Sequence, residues 1–139
     1  MNVYVDTSII LRRLLRDPHP IAGWGRWSQA FSSRLWQTEA MRAVHRLRLE
    51  GRIRDGDVVR LFEDVSIINQ CLVVIPVTED ILSRAGEAMP TMVGTLDAIH
   101  LTSAMTISST IPIDRFLTHD KQLAVAARSM GFAVDGVDS

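Results

Sequence analysis

The sequence predicts an α/β protein: a three-layer α/β/α sandwich around a mainly parallel central sheet of four or five strands. Three observations lead there. Short apolar runs rich in β-branched residues alternate with segments of helical period, which is the pattern of crossover-linked parallel strands. The run Cys71-Leu-Val-Val-Ile75 is almost continuously apolar and is closed by Pro76, as in a strand covered on both faces. The chain also opens on Val3-Tyr4-Val5 followed at once by Asp6-Thr7-Ser8, a strand whose carboxyl end carries polar groups, where ligands bind in open α/β sheets.

The elements follow in order. After the first strand, residues 8–16 read as a helix ended by Asp17-Pro18-His19-Pro20, because proline cannot continue a helix and restricts its predecessor. The stretch 21–28 holds two glycines and two tryptophans and fits either a loop stapled to the core or a surface that packs on a partner. A long helix is expected over 33–50, with Trp36, Ala40, Val44 and Leu47 as its buried stripe and Gly51 past its end. Asp57 is placed as the cap of a helix reaching residue 69. Residues 71–75 form the next strand, with Cys71 as a buried, inert thiol.

Thr78 and Asp80 open a helix to residue 89 with Ile81, Leu82, Ala85 and Ala88 inside, and Pro90 and Gly94 break it. Thr95 caps another helix that runs to about residue 108 and carries Asp97 in its first turn. A strand over 114–118, a helix over 121–130 with Leu123, Val125, Ala126 and Ala127, and a short strand over 132–134 complete a single domain over 1–139.

Composition narrows the function. The 139 residues are 47% hydrophobic, enough for one packed domain rather than a disordered chain. One cysteine excludes a disulfide framework. No apolar run is long enough to span a membrane and no secretory leader is evident, so a cytoplasmic location is expected. The net charge of −1 hides an asymmetry: residues 1–60 hold eleven arginines against six acids, and residues 61–139 four basic residues against ten acids. Lys121 is the only lysine, and guanidinium suits bidentate contact with phosphate. A solvated surface would produce the same asymmetry.

Four acids carry the chemistry. Asp6 ends the first strand, Asp120 follows the strand through Thr118, Asp97 opens a helix, and Glu39 lies beside the buried stripe of the long helix. Each has a structural explanation: a cap or first-turn acid for the aspartates, an i,i+3 or i,i+7 arginine pairing for Glu39. Gathered at one sheet edge they would repel, and a hard divalent cation, Mg²⁺ or Mn²⁺, removes that conflict. Such a site suits hydrolysis of a phosphodiester. Ser8 and Thr118 stand ready to hold a ligating carboxylate. His100, one turn after Asp97, reads as a hydrogen-bonding support rather than a ligand, and His119 as an exposed loop residue. No phosphate loop, zinc spacing or nucleophile elbow is present.

Asp6-Thr-Ser8, Thr38-Glu39 with Arg42, Leu96-Asp97-Ala98-Ile99-His100 and Thr118-His-Asp120 with Leu123 resemble the pattern of the PIN-domain family, and within it the VapC-type toxin ribonucleases. The resemblance spans essentially the whole chain. It implies a Mg²⁺- or Mn²⁺-dependent endoribonuclease with the metal held by Asp6, Glu39, Asp97 and Asp120, a frequent homodimer, and a cognate antitoxin that blocks the site. On this reading Arg12, Arg13, Arg16, Arg42 and Arg46 are candidates for RNA phosphate contacts, and the surface near Trp24 and Trp27 for antitoxin contact. Two rivals stay open. A catalytically inactive module of the same fold would bind RNA or a partner without cutting. An aspartyl-phosphate phosphatase needs an acid where Ser8 stands.

Overall fold

The computed structural model describes residues 1–137; the last two residues of the domain expected over 1–139 lie outside the described part. Eleven elements alternate along it: β1 (Asn2–Val5), α1 (Thr7–Leu14), β2 (Gln29–Ser33), α2 (Leu35–Leu49), α3 (Asp55–Gln70), β3 (Val73–Ile75), α4 (Glu79–Ala85), α5 (Thr95–Ser108), β4 (Arg115–Leu117), α6 (Lys121–Ser129) and β5 (Val134–Asp135). The sheet has the order β3-β2-β1-β4-β5, with every pairing parallel. Tyr4 registers with Phe31 on one side and Phe116 on the other, so β1 is the central strand.

Alternation along the strands divides the core in two. Val3, Val5, Ala30 and Leu117 face α1, α2 and α3, where Ile9, Ile10, Leu14, Trp36, Ala40, Val44, Val58, Leu61 and Val65 pack. Tyr4, Phe31, Ile75 and Phe116 face the other way, onto Ile81, Ile99, Leu101, Ala104, Leu123, Ala126 and Ala127 of α4, α5 and α6. The expected three-layer sandwich is present, with five strands. Residues Ala98 to Ala104 of α5 are buried without interruption, as in a helix covered on all sides.

Several expectations change. β2 was hidden in the sequence because Gln-Ala-Phe-Ser-Ser lacks an apolar pattern. Ser32 and Ser33 are nonetheless fully buried, and the Ser32 hydroxyl donates to the Val5 carbonyl at 2.7 Å. That hydrogen bond offsets the cost of burying a hydroxyl. β3 is an edge strand with Val73 exposed, not one covered on both faces. Cys71 is exposed at the end of α3 rather than buried. α3 starts two residues before Asp57, whose carboxylate instead accepts the Arg54 N–H at 3.0 Å.

α4 stops at Ala85, which leaves Ala88 beyond it and exposed; Leu82 within α4 and Val125 on α6 are exposed as well. Leu47 is only half-buried. Gly94, not Thr95, caps α5. β5 lies at Val134–Asp135, beyond the expected 132–134.

The Gly/Trp stretch is stapled to the domain's own core. Gly23 and Gly25 take φ of 80° and 83°, the left-handed region glycine tolerates. The Trp24 and Trp27 rings meet edge to face at 5.2 Å, Arg13 lies over Trp24 at 6.0 Å, and Ile21, Trp24 and Trp27 pack against the layer of α1 to α3.

Candidate metal-binding active site

The strand order reverses between β1 and β4, since β2 and β3 lie to one side and β4 and β5 to the other. Such a switch point leaves a crevice beyond the strand ends. β1 delivers Asp6 there and β4 delivers Thr118, His119 and Asp120. The start of α5 brings Asp97, and α2 brings Glu39. A crevice of about 490 Å³ is lined by all four acids together with Thr7, Ser8, Thr38, His100, Arg42 and Arg46.

Asp6 is both a cap and a member of this site. Its Oδ1 accepts the Ser8 N–H at 3.1 Å, capping α1, and the Ser8 hydroxyl at 2.6 Å. Its Oδ2 accepts the Thr118 hydroxyl at 3.0 Å. The two supporting hydroxyls also tie β4 to β1: Ser8 Oγ accepts the His119 N–H at 2.9 Å, and Thr118 Oγ1 accepts the Asp120 N–H at 3.0 Å. The position of Asp120 is thereby linked to that of Asp6 through one threonine. Asp120 itself caps α6, with Oδ1 accepting the N–H groups of Gln122 and Leu123.

His119 is half-buried rather than an exposed loop residue, because its Nδ1–H donates to the Gly136 carbonyl at 2.6 Å. Glu39 Oε1 accepts from the Thr7 hydroxyl at 2.7 Å and from His100 Nε2 at 2.6 Å. His100 is 1% exposed and supports a carboxylate, as its place one turn after Asp97 suggests.

The charges respond to this crowding. Burial pushes the Asp6 carboxyl up, and His100, Ser8 and Thr118 hold it back only in part. Burial would also raise Glu39, but the hydrogen bond and charge of His100, with the Thr7 hydroxyl, outweigh it and lower the carboxyl below its ordinary range. Asp97 is pushed up to about 6, first by burial, then by the negative charges of Asp120, Asp6 and Glu39, with His100 opposing. Asp97 therefore lies within the field of the other three carboxylates.

The donor set fits a hard divalent ion. It offers carboxylate oxygens and no thiolate, which suits Mg²⁺ or Mn²⁺ rather than zinc. Among the described residues no group of three or more His, Cys, Asp or Glu side chains is gathered closely enough to hold an ion unaided. Mg²⁺ characteristically uses one or two protein carboxylates and keeps several waters, for which an open crevice leaves room.

The arginines separate into two sets. Arg42 and Arg46 line the acidic crevice. Arg12, Arg13 and Arg16 line another cavity, of about 790 Å³, with Trp24, Trp27, Ile67 and Cys71. Motif reading found the acids, Ser8 and Thr118. It passed over Tyr4 and Gly136, and it gave Thr7 no role although Thr7 stands inside the Asp-Thr-Ser motif.

A parallel sheet whose switch-point crevice is lined by four acids defines a class of α/β proteins with an acidic site. This chain belongs to the PIN domain family, whose pattern matches residues 3–129. It is similar to Ribonuclease VapC47 of Mycobacterium tuberculosis (strain CDC 1551 / Oshkosh), 28% identical over 137 residues that cover 94% of this chain and 93% of the relative. It is also similar to Ribonuclease VapC46 of Mycobacterium tuberculosis (strain ATCC 25618 / H37Rv), 29% identical with 95% of each chain covered.

Proposed function

We propose that this protein is an endoribonuclease that hydrolyses RNA phosphodiester bonds with Mg²⁺ or Mn²⁺, and that it is the toxin of a toxin–antitoxin pair. The observation that carries the reading is the meeting of Asp6, Glu39, Asp97 and Asp120 in one crevice. The ribonuclease names of its relatives support the choice of RNA. Asp6, Glu39, Asp97 and Asp120 would hold the ion, in part through its waters. A bound divalent ion supplies Lewis acidity toward a phosphoryl oxygen and a nucleophile near neutral pH.

The chain's own groups do the rest. Ser8 and Thr118 fix the Asp6 carboxylate, so its oxygens need not reorganise when a substrate arrives. Thr7 and His100 do the same for Glu39. Arg42 and Arg46 stand beside the acids as partners for the phosphates flanking the scissile bond. Arg12, Arg13 and Arg16 lie along a different cavity and would meet RNA only where it extends past the crevice. A cognate antitoxin and a second copy of the chain complete the proposed assembly. Among the described residues no helix is long and apolar enough to cross a membrane, and the protein is proposed to work in the cytoplasm.

Sequencing RNA 5′ ends after expression tests the reading and names the target. The parent protein should generate new ends that Asp6→Asn does not, while both proteins melt cooperatively. Equal cleavage by Asp6→Asn would sink the assignment. Intact RNA with the folded parent in Mn²⁺ would favour a module that binds without cutting.

A further inference from the structure

Glu39 is a long, rotatable side chain on a helix, yet it sits in one place because one of its oxygens is doubly held. Thr7 Oγ1 and His100 Nε2 both converge on Oε1, and among the described residues no donor reaches Oε2. A carboxylate only accepts, so Nε2 carries the ring proton. On the far side of the ring Nδ1 lies 2.8 Å from the Tyr4 hydroxyl. On its other side the Tyr4 oxygen accepts the Ser33 N–H at 3.1 Å, from the end of β2.

Tyr4 is 0% exposed, Ser33 0% and His100 1%, so the line is dry from the sheet to the crevice. Packing alone does not require the hydroxyl. The Tyr4 ring stacks on Phe116 at 5.1 Å, a contact that phenylalanine would make as well.

We propose that Tyr4 and His100 are positioning residues. A hydrogen-bonded line, from the Ser33 N–H through Tyr4 and His100, ties down Oε1 of Glu39 and leaves Oε2 for the cation. The inference rests on the proposed metal-holding role of Glu39. It adds that the central strand sets the geometry of the site through the opposite face of the sheet from α2. Thr7 shares Oε1 and stops the carboxylate from rotating about its contact with His100. Groups that orient a ligand in this way typically change metal affinity or activity 10- to 100-fold when removed.

The test uses the full chain and Mn²⁺ alone, with affinity measured by titration calorimetry. Tyr4→Phe should bind Mn²⁺ about tenfold more weakly than the parent and keep a cooperative melt. On RNA its kcat should fall with KM little changed, since no phosphate contact is altered. Ring ¹⁵N spectra of the metal-free protein should show His100 protonated at Nε2 in the parent, with the Nδ1 signal displaced in Tyr4→Phe. Glu39→Gln serves as the reference, and adding Tyr4→Phe to it should cost little more, because both act through the same oxygen.

If Tyr4→Phe binds Mn²⁺ within twofold of the parent while Glu39→Gln does not, the positioning line is wrong and the metal site stands. If Glu39→Gln also binds like the parent, the metal-holding role of Glu39 fails with it. Should Tyr4→Phe not fold, His100→Gln and His100→Leu decide. Glutamine keeps an N–H toward Glu39 and should bind Mn²⁺ more tightly than leucine; equal affinities overturn the proposal.

Discussion

Asp97→Asn removes one negative charge from the crevice at almost constant size, and its effect on stability can be worked from the structure. The Asp97 carboxyl is displaced from 3.8 to about 6 by burial and by Asp120, Asp6 and Glu39. At ~1.4 kcal/mol per unit this sets a ceiling of roughly 3 kcal/mol of strain in the ionised, metal-free protein. Asp97 is half-buried, and solvent screening cuts that to about 1.5 kcal/mol. Asparagine also gives up the first-turn acid's interaction with the α5 dipole, ~0.5 kcal/mol. The cost of burying the charge beside three other acids wins, and the variant should be more stable by about 1 kcal/mol, or roughly 3 °C in Tm for a chain of this size.

The sign with pH follows from the raised value. The folded state holds this proton more tightly than the unfolded one, so Asp97 destabilises the fold fully above pH 6. That penalty shrinks as pH falls toward the unfolded value. The gain from Asp97→Asn should be complete at pH 8 and about half as large at pH 5. Thermal unfolding followed by circular dichroism in EDTA measures both.

Mn²⁺ should reverse the order. Ligand at a hundredfold excess over Kd stabilises the parent by ~2.7 kcal/mol, and the variant, short of one donor, gains less. If Asp97→Asn melts at or below the parent at pH 8 in EDTA, Asp97 is not held buried in the field of the other three acids and the reading of the crevice is wrong. The trade of stability for a charged, function-ready site is common in proteins.

Two further outcomes are expected. A Cβ at Gly136 would stand 2.3 Å from the Thr118 carbonyl oxygen, at a φ of 108°, so Gly136→Ala must displace the segment that supports both Asp6 and Asp120. It should lower Tm and cut RNA cleavage at least tenfold, and unchanged cleavage would show that β5 does not brace the site. Arg42→Ala and Arg46→Ala should each raise KM for RNA and lower the salt slope of binding by about one, whereas Arg12→Ala should leave the slope at the cleavage site unchanged; fluorescence anisotropy against salt distinguishes them.

The legible parts of the sequence were those with local physical causes. Asp6, Thr78 and Asp120 cap helices because their side chains reach N–H groups two or three residues on, and local spacing reveals this. Trp36, Ala40 and Val44 are buried as their helical spacing implied. β2 was not legible, since the Ser32 hydroxyl finds its partner only on a neighbouring strand, at the Val5 carbonyl. Cys71 and Leu82 misled for a related reason: apolar character says a residue can be buried, while its place at the end of α3 exposes Cys71 and its place on α4 exposes Leu82 beside the buried Ile81.

The chain by itself determined the alternation of strands and helices, the class of fold, and the presence of four acids at element ends beside Ser8 and Thr118. These follow from short-range periodicity and capping. Only the tertiary structure decided that Asp120 is linked to Asp6 through Thr118, that Arg42 and Arg46 join the crevice while Arg12, Arg13 and Arg16 turn to another cavity, and that Tyr4 reaches Glu39 through His100. The long-range hydrogen bonds behind the first and last of these join residues 61 to 112 positions apart, and they exist only because the parallel sheet brings β1, β2 and β4 side by side.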